Sequence, residues 1–108
     1  MHRIAFYVFP DFQLLDLSGP LAAFQRLDQL APEQAYDLRV LSRQGGGVRS
    51  TAGITIDTSK PGRAVVDTLI VVGGRGAHQV AGQHEERDTV RRLARRADRV
   101  ASVCTGAV

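Results

Sequence analysis

Three short stretches of this chain carry residue types that do chemistry. The first is Val100-Ala101-Ser102-Val103-Cys104-Thr105-Gly106-Ala107-Val108, an apolar run into the single cysteine, followed at once by small residues. A strand that ends in a tight turn presents the side chain at the turn to a crevice, and small neighbours let the strand and the following helix approach. The free N–H groups of a helix start favour a thiolate there. The second stretch is Leu14-Leu15-Asp16-Leu17, an acid among leucines. Burial favours the neutral form of a carboxyl, and beside a thiolate it could donate a hydrogen bond or serve as general acid and base. The third is Gly73-Gly74, where the backbone is free to approach a ligand and aim N–H groups at a developing oxyanion.

Each stretch has a plainer reading. A lone cysteine among valines is most often a small buried hydrophobe. Asp16 could bond the loop backbone or support a helix start at Ser18. Gly73-Gly74 could be no more than a strand-to-helix turn. The residues alone leave both readings of each stretch open. A phosphate-binding loop is disfavoured, because no Lys-Ser or Lys-Thr pair follows the glycines. The histidines His2, His78 and His84 lack metal spacing and there is no second cysteine, so neither a metal nor a cofactor is expected. His78, just past Gly76, could line the crevice.

The elements that must position these residues alternate. Ile4 to Phe9 is a continuous apolar run closed by Pro10, as in a strand buried on both faces. Asp11 to Leu17 is expected as a loop, then a helix capped by Ser18 with Pro20 in its first turn. Leu21, Phe24, Leu27 and Leu30 give that helix an apolar stripe, and Ala31-Pro32 ends it. Tyr36 to Leu41 reads as a second strand, and Gly45-Gly46-Gly47 as a turn. Val48 to Thr58 reads as one or two short edge strands, broken by Lys60-Pro61-Gly62. Thr68 to Val72 is the clearest strand. Glu85 to Ala97 is a helix whose Val90, Leu93, Ala94 and Ala97 share one face. Its arginines occupy the wet side, and Asp88 stands four residues before Arg92, a favourable helix pair. Val100 to Val103 is the last strand. This order predicts an α/β fold, a parallel sheet with helices on both faces. Its working crevice lies beyond the carboxyl ends of the strands, where the loop after Phe9, Gly73-Gly74 and Cys104 converge.

The chain has 108 residues, room for one small domain, and its 44% hydrophobic content supports a core. One cysteine excludes an internal disulfide and suits a reducing cytoplasm. No apolar run approaches the roughly 18–20 residues that span a bilayer, and the start lacks a secretory signal pattern. The formal charge is +3. Arg87, Arg91, Arg92, Arg95, Arg96 and Arg99 cluster, and helical spacing explains them as a solvated face better than as a nucleic-acid footprint.

Phe9-Pro10-Asp11-Phe12-Gln13-Leu14-Leu15-Asp16-Leu17-Ser18-Gly19-Pro20, Val71-Val72-Gly73-Gly74 and Ala101-Ser102-Val103-Cys104-Thr105-Gly106-Ala107 together resemble the DJ/PfpI superfamily of class I glutamine-amidotransferase-like domains. The likeness runs over all 108 residues and is strongest to the N-terminal domain of the GlxA branch of AraC-type transcriptional regulators. It implies a flavodoxin-like fold, truncated after the nucleophile-elbow strand. Residues 1–108 would then be a partial domain, lacking roughly another 80 residues and any helix-turn-helix domain. It also implies a pocket of Cys104, Asp16, Gly73, Gly74 and Thr105. Thr105 stands where the protease branch commonly has histidine, which argues against a peptidase or glutaminase.

The function expected is that of a ligand-sensing, dimerising N-terminal domain, with a small-molecule ligand, a homodimeric partner and DNA reached only through a C-terminal domain. The alternative is a cysteine-dependent enzyme similar to isonitrile hydratases, with Cys104 as nucleophile and Asp16 as acid–base partner. A third reading is redox sensing by the cysteine. The segment alone is expected to be poorly stable, because its last strand would carry unpaired edge groups.

Overall fold

Alternate residues of the first strand face opposite ways and each side finds a helix. The computed structural model describes residues 1–31, 33, 36–63, 65–74 and 84–103. Strand β1 (His2–Tyr7) lies inside a four-stranded sheet with β2 (Tyr36–Leu41), β5 (Thr68–Val72) and β6 (Arg99–Val103), in the order β2-β1-β5-β6. All three pairings are parallel: Phe6 faces Val40 on one side and Ile70 on the other, and Val72 faces Val103. Strands β3 (Gly46–Arg49) and β4 (Thr55–Thr58) form a separate antiparallel pair. The helices are α1 (Leu14–Leu30) and α2 (His84–Arg96). This is the expected α/β fold, a parallel sheet with a helix on each face.

Side chains on a strand alternate between faces, so a strand buried on both sides must be apolar throughout. Ile4, Phe6 and Val8 join Phe12, Leu17, Ile70 and Val72 in the cluster beneath α1. Ala5, Tyr7 and Phe9 join Leu41, Val66, Leu69 and Leu93 beneath α2. Strand β6 is an edge among the described residues, and its Val100 is 54% exposed.

The start of α1 differs from the expectation. The helix begins at Leu14, with Gln13 as an N-cap that makes no side-chain capping bond, and Pro20 lies inside it. Proline there leaves the Asp16 carbonyl without its helical N–H, at a cost on the order of 3 kcal/mol. Burying Leu17 completely, with Leu14, Leu21 and Phe24 packed partly against the same cluster, offsets that cost at about 1.5–3 kcal/mol for each fully buried side chain. The lower half of the expected stripe is not buried: Leu27 and Leu30 are exposed. Ala31 caps the helix by donating its N–H to the Leu27 carbonyl.

On the other face α2 buries two residues besides its apolar stripe, Glu86 and Thr89. The Tyr7 hydroxyl donates to Glu86 Oε2, and Arg43 Nε lies 3.8 Å from Glu86 Oε1. Burial first, and then the bond to Glu86 and its charge, push the Tyr7 hydroxyl above its ordinary pKa. At the amino ends of the strands Asp67 accepts the Arg3 N–H at 2.7 Å. That bond holds its carboxyl below the usual range, with the Arg3 guanidinium assisting.

The Tyr7 arrangement predicts alkaline instability. Unfolded tyrosine ionises near pH 10, whereas folded Tyr7 keeps its proton, so above about pH 10 the unfolded state loses a proton that the folded state retains. Stability contributed by neutral Tyr7 is complete below that pH and falls at up to ~1.4 kcal/mol per pH unit above it. Urea midpoints of wild type and Tyr7→Phe from pH 9 to 11.5 should show a shallower alkaline decline in the variant.

Candidate functional site

The chain reverses its winding between β1 and β5: β2 lies on one side of this pair and β6 on the other. The carboxyl ends of parallel strands at such a switch point form a crevice. The segment after β1 is built to reach into it. Phe9-Pro10-Asp11-Phe12 closes as a turn, with the Phe12 N–H donating to the Phe9 carbonyl at 3.1 Å. Proline at its second position and a positive φ of 66° at Asp11 follow the type II pattern. Aspartate tolerates that conformation better than most side chains.

The turn delivers Phe12 to a fully buried position, where it bridges Ser50 on one side and Gly74 on the other. Asp11 N–H donates to the Arg49 carbonyl at 2.9 Å, and Thr51 N–H to the Phe12 carbonyl at 3.0 Å. Gln13 N–H donates to the Gly73 carbonyl at 2.9 Å. Gly74 adopts φ 147°, and a Cβ there would lie 2.6 Å from the Gln13 nitrogen and 2.7 Å from the Asp11 oxygen. Glycine at this position is therefore required by close backbone approach. Gly73-Gly74 forms a strut between the end of β5 and the segment that starts α1.

Asp16 sits in the first turn of α1 and is 1% exposed. Its N–H donates to the Gln13 carbonyl at 3.1 Å. No buried side-chain oxygen or nitrogen among the described residues lacks a hydrogen-bond partner. The structure thus brings Asp16, Gly73 and Gly74 to one end of the sheet, as expected. Val103, the residue before Cys104, pairs with Val72, the residue before Gly73. Cys104, Thr105 and His78 lie outside the described residues. No group of three metal-ligating side chains occurs among the described residues. No described helix is long and apolar enough to cross a membrane.

A cavity of about 1150 Å³ lies at the opposite end of the sheet. It is an open groove between Phe24 of α1 and Arg99 to Ala101 of β6, and it does not include Asp16. The buried acid and the glycine strut lie at the carboxyl ends of the strands, away from this groove.

Known proteins place this architecture. A family model described as the DJ-1/PfpI family matches residues 2–108, and the chain belongs to that family. It is 40% identical to an uncharacterized protein in the cpoL 5' region of Streptomyces lividans, over 98% of this chain and 75% of that protein. It is 31% identical to isonitrile hydratase of Pseudomonas putida, over 98% of this chain and 45% of the enzyme. To the HTH-type transcriptional regulator GbdR of Pseudomonas aeruginosa it is 30% identical, over 95% of this chain and 28% of the regulator. It therefore spans less than half of the enzyme and of the regulator. Among solved structures, a ThiJ/PfpI family protein from Pseudomonas syringae matches 98% of this chain and 43% of its own, with a TM-score of 0.81 and 24% identity. An AraC family transcriptional regulator from Pseudomonas putida matches 68% of this chain and 48% of its own, with a TM-score of 0.63 and 21% identity. These structures share the fold.

Substitutions at two positions test the strut and the turn. Gly74→Ala forces backbone apart and should lower stability by about 2 kcal/mol or more. Asp11→Val places a β-branched residue at positive φ and should cost about 1–3 kcal/mol, whereas Asp11→Asn should be close to neutral. Urea midpoints of the three variants check both expectations.

Proposed function

We propose that this chain is the ligand-sensing, dimerising N-terminal domain of an AraC-type transcriptional regulator. The DNA-binding domain would follow in sequence C-terminal to residues 1–108. The observation that carries the reading is the similarity to GbdR over 95% of this chain, which covers 28% of that regulator and leaves ample length for a second domain. In this reading a small-molecule ligand sits in the crevice at the strand carboxyl ends, the end to which Asp16 and Gly73-Gly74 are brought. In this reading Cys104 and Thr105 complete the pocket. A homodimer suits the reading, as twofold assemblies are the commonest closed oligomers. In this reading DNA is reached through the other domain rather than through the arginines of α2.

The second reading is enzymatic. Similarity to isonitrile hydratase over 98% of this chain favours it, together with the burial of Asp16 in the first turn of α1. Cys104 would attack the isonitrile carbon as Asp16 protonates that carbon, giving a thioformimidate; water, deprotonated by Asp16, would then add to the same carbon, and cleavage of the C–S bond would release the N-substituted formamide and the thiol.

Two assays on the full-length protein, as its gene encodes it, separate the two. The regulator should give a footprint on its own promoter region, and the footprint should weaken steeply with salt. Residues 1–108 alone should give no specific footprint. Absence of any footprint from the full-length protein, with isonitrile hydration that Cys104→Ala or Asp16→Asn abolishes, would replace the first reading with the second.

A further inference from the structure

A second concave site lies on the α2 face, away from the crevice that holds Asp16. It is a cleft of about 210 Å³ between α2 and the segment that follows β4, lined by Arg43, Lys60, Gly62, Thr89 and Arg92 over Leu93. Three cationic side chains converge on it. Among the described residues, Arg43 alone of the three has acidic partners, at 3.6 Å from Glu85 and 3.8 Å from Glu86. Lys60 and Arg92 have no carboxylate within ion-pair distance among the described residues. The Asp88–Arg92 pair that helical spacing favours does not form. Arg92 instead brings Nη2 to 3.5 Å from the Thr89 hydroxyl, at the cleft.

The cleft is held by its surroundings. Thr89 is buried, and its hydroxyl donates to the Glu85 carbonyl at 2.8 Å. Arg96 Nη1 donates to the Gly62 carbonyl at 2.8 Å, which ties the opposite wall to α2. A preorganised concave surface with unpaired cations concentrates anions. Arginine and lysine suit the oxygens of a phosphate group, as a planar fork and as a point charge respectively. The volume lies below the ~300 Å³ at which ordinary small-molecule pockets begin, so it admits a phosphate group but not a nucleoside.

We propose that the cleft among Arg43, Lys60, Thr89 and Arg92 binds a phosphate group, either free inorganic phosphate or the terminal group of a small phosphorylated metabolite. This assignment is independent of the regulator reading. The test is calorimetric titration of the full-length protein with inorganic phosphate and, separately, with glycerol phosphate, each against potassium chloride at matched ionic strength. Saturable binding at one site per chain is expected, weakened about tenfold or more by Lys60→Gln and by Arg92→Gln, with Arg92→Lys retaining most of it. Both side chains are exposed, so the folded state should survive these changes, and far-ultraviolet circular dichroism verifies that it does. Tighter binding of glycerol phosphate identifies the metabolite form, and tighter binding of inorganic phosphate the free ion. A response that potassium chloride reproduces, or dissociation constants that both Gln variants leave unchanged, would overturn the proposal.

Discussion

One knot of backbone hydrogen bonds organises the carboxyl end of this sheet. Asp11, Phe12 and Gln13 are stitched to Arg49 and Thr51 on one side and to Gly73 on the other, with Phe12 wholly buried between them. Three strand ends that are far apart in sequence are joined there. Each bond contributes a net ~1 kcal/mol, and burying the ring adds about 1.5–3 kcal/mol. The orientation of α1 follows from the knot, because Gln13 is at once its N-cap and the partner of Gly73. Asp16 is placed by the first turn of that helix rather than by a free loop. The side chain is thus carried on an element anchored to the sheet.

The two faces of the sheet are held by different physics. Beneath α1 the packing is apolar, and Phe6, Val8, Phe12 and Leu17 supply it. Beneath α2 the apolar layer of Ala5, Phe9 and Leu93 is joined by a polar contact, Tyr7 to Glu86, with Arg43 alongside. Burying a carboxylate without partners is costly, so Glu86 depends on both. Asp16 belongs to α1, over the first face, and Gly73-Gly74 is joined to the segment that starts that helix. The second face carries the basic cleft, whose residues lie outside that constellation.

Much of this was legible in the sequence. Strands β2 and β5 have the limits that their apolar patterns predict, and α2 is displaced by a single residue at each end. Those elements are decided by local periodicity, which a sequence displays directly. The start of α1 was not legible, because Ser18-Gly19-Pro20 carries a strong local start signal that the packing of Leu17 overrides. Glu86 and Thr89 also escaped, since charge and hydroxyl mark an exposed residue unless a partner such as Tyr7 is known. Their spacing from Leu93 was the available clue. Gly73-Gly74 was legible as a special backbone position, but its contact with Asp11 to Gln13 is long-range and leaves no local pattern. The expected Asp88–Arg92 pair failed for a similar reason: a tertiary surface offered Arg92 another place.

The knot is tested most directly by amide hydrogen exchange, read residue by residue. Exchange protection reports the free energy of local opening, and isolated loops open at little cost. The Asp11, Gln13 and Thr51 amides should exchange as slowly as the Phe6 amide in the centre of the sheet. Exchange at these three amides as fast as in an unstructured peptide, while Phe6 stays protected, would contradict this.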